Sequence, residues 1–580
     1  MKQTALKGNG DLEKNPLKGK EPLEKTVYFG GDIITMEPDG SPQHGKSPDR
    51  QPYGGLPHDG QSQSRQPQAV LVEDGIIRYV GTKKEAVRLA GGGASMVDLV
   101  GAALLPAFID SHSHITAFAN TLGLVDLTGA KNFEDMIQKL RAFANARKLA
   151  MDEWVVGFGY DHNFLMEKQH PDKSVLDRAV PDHPVLITHA SGHMGVVNSA
   201  GLLRFGIGKE TEEPAGGRIG RLGDGSPDGY LEETAFTAYS ARIPQPDRER
   251  LCRQMELAQQ QYLQYGITTV QDGLTRENDL PLLMDMAREH RLLVDTVSYI
   301  DLNRNGELLV QNQRYLKNYQ NRLKIGGYKI FLDGSPQGRT AWMSRPYQNG
   351  IGNGSDKDGY CGYPIYEDEQ VESFLKTAVA KRVQILAHCN GDAAAEQLIR
   401  CYERVIEKQA PIRPVMIHAQ LVRPDQLKRM AALGMVASFF TAHTYYWGDI
   451  HRQNFGTERA DTISPARSAQ EAGVVYTLHQ DTPVIRPDMM QTVWCAVNRI
   501  SKSGRAMGTE ERITPYEALQ AVTIHAAYQY FEEGQKGSIQ PGKLADLVVL
   551  ERNPLTADPM ELDKISVLQT IKEGRVLYQR

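Results

Sequence analysis

Short apolar, β-branched runs recur along the middle of the chain, each of strand length and most of them ending on polar residues. They are "GITTVQDG", "LLVDTVSYI", "IGGYKIFLDG", "VQILAHCNG", "PVMIHAQL", "MVASFF" and "VVYTLHQD". With "ALLPAFIDSHSH" ahead of them they make eight candidate strands. Segments of helical period separate most of them. Before "GITTVQDG", Leu251, Met255, Ala258 and Tyr262 recur at the spacing of one helix face. Runs that are apolar on both faces and alternate with helices predict a buried parallel sheet. Eight of them predict an α/β fold, a (β/α)8 TIM barrel. The gap from about 120 to 245 exceeds one crossover helix and predicts an inserted subdomain near the barrel mouth.

The two chain ends have a different texture. "VYFGGDIITM" and "AVLVEDGIIRYVG" near the start, and "LADLVVL" and "EGRVLYQR" near the end, read as short strands with turns. They predict one small β-sandwich domain, built from 26–105 and 535–580, around a barrel over 106–534. Between Pro38 and Gln68 the chain is rich in Pro, Gly, Ser and Gln, which predicts a surface loop. Residues 1–25 are polar and lysine-rich and predict a disordered tail.

Composition narrows the class. The chain has 580 residues, 40% hydrophobic and 24% charged, as soluble globular enzymes or scaffolds do. A net charge of -5 with no basic stripe argues against nucleic acid as a partner. No run approaches the ~20 apolar residues of a membrane span. Cys252, Cys361, Cys389, Cys401 and Cys495 are scattered, which fits a reducing compartment, and the expected location is cytoplasmic.

The polar residues at the strand ends need a reason. The first strand ends on His112 and His114, the fourth carries Lys329, the fifth His388, the sixth His418, and the eighth Asp481. On a strand, residues two apart share a face at roughly 6–7 Å, so His112 and His114 can converge on one ion. Imidazole with carboxylate suits zinc and similar metals. Four histidines and Asp481 exceed what one open catalytic ion needs, which points to two ions sharing a bridging water. Lys329 cannot ligate as an ammonium. Beside a metal its pKa should fall, and the neutral amine can take up CO2 to form a carbamate. Taken singly, each residue reads more readily as a surface or core side chain; in barrel order they read as a site.

The chain resembles the amidohydrolase superfamily, in particular the branch similar to N-substituted formamide deformylases. The resemblance rests on "LLPAFIDSHSH", "GHMGVVNSAGL", "DGYLEETA", "GGYKIFLDGSPQGRTAWMSRPY", "AHCNGDAA", "MIHAQ", "HQDTPV" and "GSIQPGKLADLVVL". Gln480 replaces a residue that is often small in that family, and "HCNGDAA" replaces a frequent "HAIGDRA". The resemblance implies a metal-dependent hydrolase of non-peptide carbon–nitrogen bonds, linear or cyclic. It implies metal ligation by His112, His114, Lys329 as carbamate, His388 and His418, with Asp481 as general base and further ligand. The cofactors expected are two zinc ions (manganese, iron, cobalt or nickel as alternatives) and CO2.

Around the mouth, His193 is expected to donate to a developing oxyanion. Tyr160, Asp161, Asn198, Glu233 and Arg339 are the substrate-binding candidates. Asn198 reads equally as a helix cap, and Glu233 and Arg339 as structural ion pairs. The partner expected is a small-molecule amide, with neither nucleic acid nor membrane, and a homodimer stays open. The alternative is a mononuclear deaminase on the same barrel, for which Glu396 stands far from His388. A barrel without activity would have lost these ligands.

Overall fold

The apolar runs of the middle chain assemble into one parallel sheet. The structure, a computed structural model, describes residues 25–37, 66–147, 149, 152–162, 164–189, 193–244, 246–348, 359–406 and 412–580. The tail expected over 1–25 and the loop expected over 38–68 lie, apart from Lys25 and 66–68, outside the described residues. Two compact units divide the chain. One joins the described residues up to Thr116 with Ala258–Arg580, and the other is Ala117–Leu257. Among the described residues no helix is long and apolar enough to cross a membrane.

In the first unit the parallel strands are β1 (Phe108–Ile109), β2 (Ile267–Thr275), β3 (Asp295–Asp301), β4 (Leu323–Phe331), β5 (Gln384–Cys389), β6 (Val415–His418), β7 (Val436–Phe439) and β8 (Tyr476–Leu478). They pair in chain order from β1 to β8, every ladder parallel. The sheet curls until its ends meet. The Ser111 hydroxyl donates to Leu478 O at 3.1 Å, and the His114 N–H donates to Thr482 O at 2.8 Å. This is a TIM-barrel-like α/β fold. Ile109, Val297, Tyr299, Leu386, Val415, Ile417 and Val436 share a core with Ala526, Ala527 and Tyr530 from the helix Ile524–Gln529 and its end.

The first run departs from its expected form. It is split between two sheets: Ala103–Pro106 pairs with Leu547–Leu550 and Asp32–Ile33, and only Phe108–Ile109 joins the barrel. His112 and His114 therefore lie beyond the strand, so pleat alternation does not bring them together. Their placement comes from backbone bonds to the last strand's exit loop, including Asp481 N–H to His112 O at 3.3 Å.

On β4 a bulge sets which side chains face inward. Ser298 opposes Ile325 and Tyr299 opposes Gly327, so Gly326 is the extra residue. Lys324 and Lys329, an odd number of residues apart, are both buried, and the bulge between them lets them share a face of the strand. Gly327 has φ +159°, and a Cβ there would lie 1.9 Å from Gln384 O, so no side chain fits.

At the N-terminal end of the strands, Asp295 meets Lys536 at 2.5 Å, Lys572 at 2.7 Å and Arg322 at 3.2 Å. Lys324 pairs with Glu532. These buried charges tie the barrel floor to the C-terminal strands, on the face where barrels keep stability rather than chemistry.

The chain ends build two sheets. One runs in the order Ile76–Gly81, Ala69–Glu73, Thr26–Phe29, Ser95–Asp98, and the other Asp32–Ile33, Ala103–Pro106, Leu547–Leu550, Val567–Lys572, Arg575–Gln579. Tyr28, Val70 and Val72 share a core with Leu104, Leu547, Val549 and Ile571. The second unit has a six-stranded sheet in the order Gly217–Arg221, Pro227–Glu233, Met194–Val197, Val185–His189, Val155–Tyr160, Val125–Asp126.

Candidate metal centre

At the C-terminal ends of the barrel strands, His112, His114 and Asp481 bring one donor atom each within 4.8 Å of one another. Asp481 Oδ1 lies 3.5 Å from His112 Nε2 and 3.4 Å from His114 Nε2. It is buried without a hydrogen-bond partner. A tetrahedral ion with bonds of about 2.0–2.2 Å separates its ligands by about 3.3–3.6 Å. The three donors therefore suit a divalent cation in chemistry, and both separations to Asp481 match its spacing. His388 Nδ1 and His418 Nε2 form a second convergence, 3.1 Å apart. Asp481 Oδ2 is 4.0 Å from His418 Nε2. Lys329 Nζ is 3.3 Å from His112 Nε2.

The backbone pays some strain here. His418 and Asp481 have φ of 73° and 57°, positions that cost of order 1–3 kcal/mol for residues other than glycine.

Residues behind the candidate donors set which nitrogen each ring presents. The His112 Nδ1–H donates to Gln271 Oε1 at 2.6 Å, which leaves Nε2 bare toward Asp481. Gln271 is itself fixed by donating to Ser111 O and to the Tyr530 hydroxyl, at 2.8 and 2.9 Å. His418 Nδ1 meets His479 Nε2 at 3.2 Å, and His479 Nδ1 meets Ser438 Oγ at 2.8 Å. His388 Nε2 lies 2.9 Å from Asn390 Nδ2 and 3.3 Å from Gly334 O, which hold the orientation of that ring. Such outer contacts fix tautomer and orientation at metal sites.

Burial keeps the His112 and His388 rings neutral. Desolvation, with Lys329 and neighbouring rings adding to it, holds His112 well below the usual imidazole range. His388 is pushed down to about 4, by burial first and then by Lys329. Burial also brings Lys329 down to about 7, against the pull of Asp481 and Cys389. A sizeable share of its amine is therefore unprotonated at neutral pH. Burial works to raise the Asp481 carboxyl. The His114 ring beside it, with His479 and Lys329, outweighs that and holds it below the usual carboxylate value. Cys389 adjoins His388, but burial raises its thiol well above the ordinary range, which leaves it inert as a nucleophile.

The sequence reasoning did not single out Gln271, His479 or Asp333. The first two obey the rule that picked out the candidate ligands, since each is a polar residue at the end of an apolar run. Asp333 follows β4 and accepts from the Asn390, Gly391 and Trp342 N–H groups at 2.9, 2.7 and 3.0 Å. It thereby fixes the turn after β5.

The remaining candidates have these partners. Arg339 donates to Asn454 Oδ1 at 3.0 Å. Glu396 pairs with Arg429 at 2.7 Å and Arg423 at 3.4 Å. In the second unit, His193 Nδ1 lies 3.2 Å from Glu233 Oε2, and the buried Tyr160 hydroxyl lies 3.1 Å from His170 Nδ1. Asn198 caps the helix Ser199–Phe205 by accepting from Gly201 N–H at 2.8 Å. It also accepts from Val185 N–H and donates to Val180 O and His183 O, so the backbone occupies its amide.

Comparison with known proteins adds independent findings. The family model described as the amidohydrolase family matches residues 95–578. An N-substituted formamide deformylase of Arthrobacter pascens is 28% identical over 529 residues, 88% of this chain and 94% of that one. The protein LONG AFTER FAR-RED 3 of Arabidopsis thaliana is 28% identical over 528 residues, 87% of this chain and 88% of its own. The crystal structure of an uncharacterized metal-dependent hydrolase from Pyrococcus horikoshii superposes with a TM-score of 0.69 at 23% identity, over 92% of this chain and 99% of that one.

Proposed function

The chain belongs to the amidohydrolase family and is an enzyme of carbon–nitrogen bonds; on that premise we propose that it hydrolyses non-peptide amides, N-substituted formamides first among them. The observation that carries this reading is the nest of His112, His114 and Asp481 at the strand ends, beside the His388–His418 pair, with Lys329 against His112. The formamide preference rests on the deformylase relative alone.

Two divalent ions, zinc first, would be held by the four histidines, Asp481 and Lys329, and would supply Lewis acidity to a carbonyl and to water near neutral pH. Lys329 would serve as a carbamate: the unprotonated Nζ adds to the carbon of CO2 and releases one proton, giving an anionic group with two oxygens. Its depressed pKa supports this, because only the free amine reacts. Asp481 accepts a proton from the attacking water and passes it to the leaving nitrogen, so that an amine and a carboxylic acid depart. Its carboxylate is held below its usual range and is ionised at neutral pH, ready for the first transfer. Gln271 and His479 keep the His112 and His418 rings turned so that Nε2 faces inward. Glu396, the acid a mononuclear deaminase would recruit, is taken up by two arginines.

The test is a panel of N-alkyl and N-aryl formamides, N-acyl amino acids and cyclic amides, assayed with zinc and bicarbonate supplied. Release of amine that disappears on chelation and returns with metal is the expected outcome. A folded preparation that carries zinc lost on His112→Asn/His114→Asn substitution, yet releases amine from none of these compounds, refutes the substrate class.

A further inference from the structure

The second unit carries a cluster of ligand-type side chains that shares no residue with the barrel set. It sits at the C-terminal ends of two neighbouring parallel strands, Val155–Tyr160 and Val185–His189. Asp161 and His162 follow the first strand, and His189 closes the second. The register between the strands shifts at Thr188/His189, and such irregularities re-aim side chains. His162 Nδ1 lies 3.3 Å from His189 Nε2. Asp161 Oδ1 lies 3.5 Å from His189 Nε2 and 3.9 Å from His162 Nδ1.

We propose that Asp161, His162 and His189 hold a divalent transition-metal ion, with zinc the best-matched species. Two imidazoles and one carboxylate are a borderline-soft donor set that suits zinc, cobalt or nickel and ill suits magnesium or calcium. Ligands on a tetrahedral ion stand about 3.3–3.6 Å apart. Two of the three separations fall in that range, and a small rotation of the His162 ring closes the third. His189 is buried, so its ring is held in place before any ion arrives. Three protein donors leave a fourth position for water or an incoming ligand. An N–H···N hydrogen bond between the two rings accounts for the His162–His189 distance. It does not require a carboxylate oxygen near both of those same nitrogens. This gathering into one three-sided nest carries the proposal.

The experiment uses the full-length chain, stripped with a chelator, re-equilibrated with zinc and dialysed. Bound zinc is counted by elemental analysis, and cobalt absorption spectra are recorded in parallel. His162→Gln is expected to bind one zinc fewer per chain than the parent, or to bind it at least ~100-fold more weakly, since losing a ligand costs more than losing the groups behind one. In a His112→Asn/His114→Asn background that zinc is expected to persist, and to vanish when His162→Gln is added. If the barrel residues bind no metal, the total falls but the difference between parent and His162→Gln remains, so the two readings fail separately. Should His189→Gln lose its fold by circular dichroism, His162→Gln and Asp161→Asn, at more exposed positions, decide the question. Equal zinc content, affinity and cobalt spectra in the parent and in these folded variants overturn the proposal.

Discussion

Replacing Gln271 with leucine removes one side chain's worth of hydrogen bonds from beneath the barrel site, and the structure says which of them matter. Gln271 makes three: it accepts from His112 Nδ1–H and donates to Ser111 O and the Tyr530 hydroxyl. Ser111 O keeps a second donor, Gln529 Nε2 at 2.7 Å. The Tyr530 hydroxyl still donates to Asp110 O at 2.7 Å. Only the His112 Nδ1–H is orphaned, and an unsatisfied buried donor costs about 1–3 kcal/mol. For a chain of 580 residues, each kcal/mol moves Tm by roughly 1 °C, so a drop of about 1–3 °C is expected. Function should suffer more than stability. Without its acceptor, the ring no longer favours the tautomer with Nε2 bare, and loss of such a partner weakens metal binding by about 10–100-fold. The assay is competition for zinc against a chromophoric chelator, with amide hydrolysis followed over a zinc titration. Gln271→Leu should need more zinc for half-maximal rate and recover to within a few-fold at saturation. If Tm falls while zinc affinity stays at the parent value, Gln271 only packs, and the account of how His112 is oriented fails.

Asp481→Asn keeps the shape but cannot take a proton; hydrolysis should fall by about 10²–10⁴ with circular dichroism unchanged, and a loss under threefold would remove Asp481 as the base. Burial opposes ionisation of Asp295, but Lys536, Lys572 and Arg322 hold it far below its ordinary 3.8. Its stabilising share is thus complete above that pH and drains away as pH falls below it, because the unfolded chain then binds the extra proton. A Tm profile from pH 6 to pH 2.5 should decline less steeply in Asp295→Asn than in the parent, and parallel profiles would contradict this. Gly327→Ala would set a Cβ against Gln384 O and erase the bulge that turns Lys329 inward; soluble yield should collapse, and a well-folded, fully active product would show that the bulge is dispensable.

Much of the architecture was legible in the chain because it is local. Period and polarity alone mark eight apolar runs, and their polar ends mark His112, His114, Lys329, His388, His418 and Asp481. Strand length and burial on both faces are properties of a few consecutive residues, so a reader of the sequence can find them. What the sequence did not reveal depends on partners far away along it. Gln271 selects the nitrogen of His112 from a distance of 159 residues. The run from Ala103 to Ile109 divides because the C-terminal strand Leu547–Leu550 competes for its backbone. Asn198 was open to two roles until the strand and loop carbonyls around it closed on its amide. Ring tautomers, ladder partners and the gathering of Asp161, His162 and His189 are decided when separate segments are pressed together in a dry interior, where each polar group must find a partner or an ion. No property of a short stretch encodes that choice.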